Sequence, residues 1–415
     1  MFLRFTYNLI IIPILSLIRL FLLLFSKKYR LRENRYDFFM SKLESEKVKR
    51  RILFHSASMG EFEQAKPIIE LIKENYKGIE IIASFYSPSG LENQLNYNYV
   101  DYFLYLPFDS RAKIKSFFDR VSPDLVVIVR YEFWFNFIDE IRKRGLKSIM
   151  VGATQPNSNY ATNPISKPYF LDTINKIGTI YSNDDRSFNF YKGIYNNELV
   201  NSFDPRFDRI NKRVIEASKN EIIRKERFEN KFVIILGSSW GEDENIFLDM
   251  RIMENHKLRL IFVPHEPTET HIMELNKKLG KSILLSEALK NEEIIDEHLI
   301  VDSIGKLLSL YSIADAAYIG GGFGAGVHSV TEPAGYGLAL ATGPKMNNSP
   351  DAVELERQGV LKVIQNSDGL TDWIDNTLFD EDKRLNIEKG AKDYINSRLG
   401  SSKLVYEEIR IFLER

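Results

Sequence analysis

Three carboxylates and two histidines stand beside turns rich in serine and glycine, where a folded chain presents side chains to a ligand. Glu61 follows Ser58-Met59-Gly60 in "HSASMGEFEQAKPII" (His55 to Ile69), where an apolar run hands over to a helical one. A carboxylate there is either a first-turn residue that favours the helix macrodipole or a base at the mouth of a cleft. Pro67 removes a backbone donor one to two turns in, so this helix is not built for stability alone. Glu132 lies in "RYEFWFN" beside Trp134 and reads either as a surface residue or as a second acid facing the same crevice. In the later half, "GSSWGEDE" (Gly237 to Glu244) has small residues and free amides, which suit an anionic group. "GGGFGAGVHSVTEPAGYG" (Gly320 to Gly337) places Glu332 four residues after His328. On a helix start this pair shares one face, with a phosphate on the amides and ribose hydroxyls on Glu332. A Gly-rich turn with a capping carboxylate accounts for it equally well.

Three other chemistries have partial signatures. Gly237, Ser239 and Gly241 match G-x-S-x-G, the nucleophile elbow of hydrolases, with Asp315 and His328 as the available acid and base. That pattern is short and leaves the first half unexplained. Gly320, Gly322 and Ala325 satisfy a loose dinucleotide fingerprint, but no acidic residue follows about 20 positions on. His265 and His271 in "HEPTETH" are not at metalloprotease spacing, and Pro267 interrupts the helix such a site needs. No metal and no cofactor is expected.

The elements that must position these residues alternate. "RILF", "IEIIASF", "YFLYLPF", "DLVVIVR", "KSIMVGA" and "KIGTIYS" are short β-rich runs, with helical segments between most of them. A charged helical stretch follows, and the pattern restarts at "FVIILGSS", "LRLIFVPHE", "SILLSE", "HLIVDS", "AAYIGGG" and "LALATGP". Such alternation predicts α/β architecture with two Rossmann-like domains, each a parallel sheet covered on both faces. The divisions expected are an apolar segment over 1–35, a first domain over 36–204, a charged linker over 205–230 and a second domain over 231–415. The last helix is free to pack back on the first domain. A ligand belongs at the carboxyl ends of both sheets, in a central cleft that the two domains face.

Composition bounds the partners. The 415 residues carry a net charge of -1, so nothing global points to nucleic acid, and the lack of cysteine excludes disulfides and thiolate chemistry. "LIIIPILSLIRLFLLLF" (Leu9 to Phe25) is apolar apart from Pro13, Ser16 and Arg19, and "KKYRLRENR" follows. Ser26-Lys27-Lys28 is a poor cleavage site, and Arg19 is costly in hydrocarbon. A membrane-associated segment lying on or in the bilayer face is expected, with a full span as the alternative; the cations stay cytoplasmic.

In this order "HSASMGE", "YEFWFN", "GSSWGEDE", "VPHEP" and "GGGFGAGVHSVTEPAGYGLALATGP" resemble the bacterial 3-deoxy-D-manno-octulosonic acid (Kdo) transferases, inverting glycosyltransferases of the GT-B fold. The resemblance implies a CMP-Kdo donor in the later half and a lipid A precursor as acceptor in the first, at the cytoplasmic face of the inner membrane. It implies Glu61 as base, with Ser58, Gly60, Glu132 and Trp134 on the acceptor side. On the CMP side it implies Ser238, Ser239, His265, Gly322, Gly324, His328, Ser329, Glu332 and Lys345. The chain departs from the family pattern at Phe135, where proline is usual, and at Val327 and Ser329, where glycine and asparagine are usual. "VPHEP" also lacks an arginine found in many members, which leaves His265 or Lys345 to meet the phosphate. The competing readings are a GT-B transferase for another nucleotide sugar, a Ser239 hydrolase, and a non-catalytic nucleotide-binding membrane protein.

Overall fold

A computed structural model describes residues 2–44, 46–130, 132–156, 159–229 and 231–415. They form two compact units, Met1–Arg209 with Arg398–Arg415, and Ile210–Ser397. The first unit holds strands β1 (Arg50–Ser56), β2 (Ile79–Phe85), β3 (Tyr102–Tyr105), β4 (Leu125–Val129), β5 (Lys147–Ala153), β6 (Thr179–Ser182) and β7 (Glu198–Asn201). The second holds β8 (Phe232–Ser239), β9 (Leu258–Pro264), β10 (Ser282–Leu284), β11 (His298–Ile300), β12 (Ala316–Ile319), β13 (Ala339–Thr342) and β14 (Leu361–Val363).

Runs such as "LVVIV" in β4 and "IEIIASF" in β2 are buried along their whole length, as expected of strands with helices on both faces. All pairings are parallel, in the orders β3-β2-β1-β4-β5-β6-β7 and β10-β11-β9-β8-β12-β13-β14. In the second sheet β11 is inserted between β9 and β10. The order switches direction between β1 and β4 in the first sheet and between β8 and β12 in the second. At such a point successive connections leave in opposite directions and open a crevice beyond the strand ends. The expected GT-B architecture of two Rossmann-like sheets is therefore present, with β7 and β14 as further edge strands.

Each unit has its own core. Ile52, Phe54, Phe62, Ile82 and Val127 belong to the first, and Ile234, Leu236, Phe262, Tyr318 and Trp373 to the second. The last helix, Ser401–Leu413, contributes Val405 and Ile409 to the first core. Asp208 caps its start by accepting the Gly400 and Ser402 amides at 2.6 and 2.7 Å.

Residues Phe2–Phe25 form one apolar helix, with Phe2, Leu17, Phe21, Leu24 and Phe25 exposed. It is about 36 Å long at 1.5 Å per residue, enough to cross a bilayer. Pro13 has no amide to donate, and the turn before it, Tyr7–Ile11, widens to π spacing. The amino end of the helix is fastened to the first unit by polar contacts. Tyr7 donates to Asp109 at 2.8 Å, Asn8 and Asn136 exchange amide bonds at 3.0 and 3.1 Å, and Arg4 pairs with Asp139 at 3.2 Å. Arg19, costly in hydrocarbon if bare, is paired with Glu33.

Candidate active site

β1 and β4 lie side by side, and each ends on one of the acidic motifs. Ser58 caps the helix Met59–Asn75, its Oγ accepting the Glu61 amide at 3.5 Å. In return Glu61 Oε2 accepts the amides of Ala57 and Ser58 at 2.6 and 3.1 Å, which completes a capping box. The helix-start reading of Glu61 is thus realised. It occupies only one oxygen: among the described residues nothing donates to Oε1. The side chain is 7% exposed. Burial, then the nearby Glu132 charge, hold its carboxyl above the usual range, against the two amides and His55, which pull it down.

Glu132 accepts the Trp134 indole N–H at 2.7 Å, and its Oε2 lies 3.8 Å from Nε2 of the buried His55. Trp134 stacks on Tyr86 at 4.9 Å, and the Arg32 guanidinium sits 4.3 Å from the Tyr86 centroid. Tyr131, in the same motif, lies outside the described residues. Gly60 is exposed on the first turn with open space around it. Arg130, just beyond β4, has φ +65°, and Ser238, at the end of β8, has φ +54°. Left-handed backbone is unfavourable for residues with a Cβ, and such strain gathers at functional sites.

In the second unit Asp243 ties the switch point together. Its Oδ2 accepts the Trp240 and Gly321 amides at 3.0 and 2.8 Å, and its Oδ1 the Tyr318 hydroxyl at 2.9 Å. The glycine loop is packed on neighbouring backbone. A Cβ on Gly320 would stand 2.3 Å from the Ser238 carbonyl, and one on Gly322 2.5 Å from the Gly343 amide. Gly324 is open by comparison. The Lys345 amide donates to the Gly322 carbonyl at 2.7 Å, while its side chain is exposed. His265, directly after β9, stacks on Trp240 at 4.8 Å and on His328 at 4.4 Å with the latter rings 15° from parallel. Burial and His265 hold His328 below the ordinary histidine value, with Asp243 opposing them.

Two expectations need correction. His328 and Glu332 do not share a helix face, because the helix begins only at Thr331. His328 turns to Trp240, and Glu332 pairs with Arg213 at 3.0 Å. Ser329 is exposed, its hydroxyl 3.1 Å from that of Thr331. The hydrolase triad is not assembled either. Ser239 is fully buried and donates to Glu244 at 2.8 Å, which in turn holds His271 at 2.8 Å. Asp315 precedes β12 and accepts the Val233 amide at the amino end of the sheet, while His328 follows the carboxyl end. His265 and His271 have separate partners, and no group of three or more metal-ligating residues occurs among the described residues.

Residues 30–209 match the family model described as 3-deoxy-D-manno-octulosonic-acid transferase (kdotransferase). A 3-deoxy-D-manno-octulosonic acid transferase of Haemophilus influenzae is 26% identical over 376 residues, covering 88% of this chain and 87% of that one. One from Chlamydophila psittaci is 24% identical, covering 81% and 80%. Over most of its length the chain is similar to the Kdo transferases. It is a glycosyltransferase. The Neisseria meningitidis UDP-GlcNAc 2-epimerase structure shares the fold, with TM-score 0.57, 14% identity and coverage of 88% of this chain and 100% of that one.

The family segment, 30–209, contains Glu61, Glu132 and the residues around them. Sequence reasoning left His55, Asp243 and Arg213 unassigned. His55 opens the quoted motif, and Asp243 stands three residues after Trp240, the spacing of a capping carboxylate. Arg213 pairs across 119 positions, for which the sequence carries no local signal.

Proposed function

We propose that this glycosyltransferase moves Kdo from CMP-Kdo to a lipid A precursor at the cytoplasmic face of the inner membrane, with Glu61 as general base. The observation that carries this reading is the state of Glu61: buried, fixed through Oε2 by two amides, and open at Oε1. A base needs a fixed position and a raised affinity for protons, and Glu61 has both. In the proposed reaction Oε1 takes the proton from an acceptor hydroxyl as that oxygen attacks the anomeric carbon of Kdo. The bond from that carbon to the CMP phosphate breaks in the same displacement, which inverts the carbon. Glu132, held by Trp134 beside His55, keeps a second negative charge near Glu61 and raises its basicity.

The nucleotide belongs to the β8/β12 switch point on this reading. His265, His328 and Lys345 would meet the phosphate, Ser238 and the loop containing Gly322 and Gly324 would line it, and Glu332 would hold the ribose. The exposed helix Phe2–Phe25 and the cations that follow it would keep the enzyme against the anionic surface where its acceptor lies. Glu61→Gln keeps the shape and removes the basicity. Single-turnover transfer from CMP-Kdo should fall by roughly 10²-fold or more, with CMP affinity retained. Transfer at the wild-type rate would refute the assignment of the base.

A further inference from the structure

Trp240 Nε1 lies 3.2 Å from His328 Nε2 in hydrogen-bonding geometry. An indole N–H only donates, so Nε2 must carry the lone pair and a neutral ring must carry its hydrogen on Nδ1. We propose that Trp240 is a positioning residue whose indole N–H fixes His328 as the Nδ1–H form, making Nδ1–H the ring's donor to a bound nucleotide. The donor role rests on the reading of this switch point as the nucleotide site; the fixed tautomer does not.

Trp240 is itself held firmly enough to do this. Its amide donates to Asp243 at 3.0 Å, its ring stacks on His265 at 4.8 Å, and its indole N–H ends on His328. Protonation of His328 at Nε2 would bring two N–H groups face to face and place a cation against the stacked His265 ring 4.4 Å away. Two titratable groups face His328, and they act in opposite directions. His265 disfavours its charge, and Asp243 favours it, but both Asp243 oxygens already accept hydrogen bonds. Among the described residues nothing bonds to Nδ1, which is left for a ligand. The other neutral tautomer would turn a lone pair on Nδ1 toward an anionic phosphate. Trp240 therefore sets the sign of this contact.

Long-range proton–nitrogen correlation on the full-length protein with 15N-labelled histidine reads the tautomer directly. Wild-type His328 should show an unprotonated Nε2 and a protonated Nδ1, and should titrate below 6.5. Trp240→Phe keeps a ring on His265 and removes the donor. The Nε2–H form should then appear, the titration midpoint should rise, and CMP binding measured by calorimetry should weaken by about tenfold. Should Trp240→Phe unfold, 3-benzothienylalanine in place of Trp240 exchanges only the N–H for sulfur and should give the same changes. An Nε2–H tautomer in the wild type, or a tautomer unchanged in both variants, would overturn the proposal. Wild-type protein that does not bind CMP would remove the donor role and the nucleotide reading together, whatever the tautomer.

Discussion

A carboxylate that accepts two amides through one oxygen still has the other for a substrate, and its surroundings set the pH at which that oxygen is basic. Burial and Glu132 raise the Glu61 carboxyl above its ordinary 4.5, so the reactive, ionised form is lost as pH falls through this higher value. The acid limb of the kcat/KM profile should therefore have its midpoint above 4.5, and Glu132→Gln, which removes the neighbouring charge, should move it down. A limb that stays in place in Glu132→Gln would show that the two carboxylates do not interact. At the second switch point Glu332 is engaged by Arg213. If it holds the ribose, Glu332→Ala should weaken CMP by at least about tenfold, the range of a charge-assisted bond, while Arg213→Gln should leave CMP binding equal or tighter. A Glu332→Ala protein that only melts earlier would assign the carboxylate to structure. Glu61 and Glu132 were legible because strand-end motifs announce them within a few residues. The His55 contact to Glu132 and the Arg213 contact to Glu332 were not, since they depend on pairing across strands or across more than a hundred positions.

Among the elements, the helix Phe135–Lys143 and the apolar Phe2–Phe25 meet on one buried carboxylate. Asp109 accepts the Tyr7 hydroxyl and the amides of Asn136 and Phe137 at 2.8, 3.1 and 3.0 Å. Burial lifts its carboxyl from 3.8 to about 7, against the pull of those three donors. A carboxyl raised on folding contributes stability that is fully present below 3.8 and is lost as pH rises toward 7. Asp109→Asn does not ionise, so its melting temperature should gain on the wild type from pH 4 to about pH 7 and level off above that. A difference that is flat over that range would contradict the raised value. The apolar helix itself was legible from composition, but its fastening was not, because Tyr7 and Asn8 look like minor interruptions of the pattern. The edge strands β7 and β14 also escaped the sequence reading. "ELVN" is partly exposed and four residues long, and β14 has three residues, too few for a period to show.

For the whole molecule, the restart of strand–helix alternation after the charged stretch foretold two sheets, and parallel pairing required crossovers, with a switch point in each sheet. Glu61 and Glu132 follow β1 and β4 at the first of those points, and Trp240 and His328 follow β8 and β12 at the second. On the proposed reading, proton abstraction falls to Glu61 in the first unit and nucleotide recognition to the β8/β12 loops in the second. The central claim is that both serve one transfer, and mass spectrometry of the lipid product tests it most directly. Full-length protein in mixed micelles with CMP-Kdo and a tetraacyl lipid A precursor should convert the precursor to a species heavier by one or more Kdo residues, with CMP released in equal amount. A precursor left unmodified while CMP is released, or one modified only when another nucleotide sugar is supplied, would contradict the account.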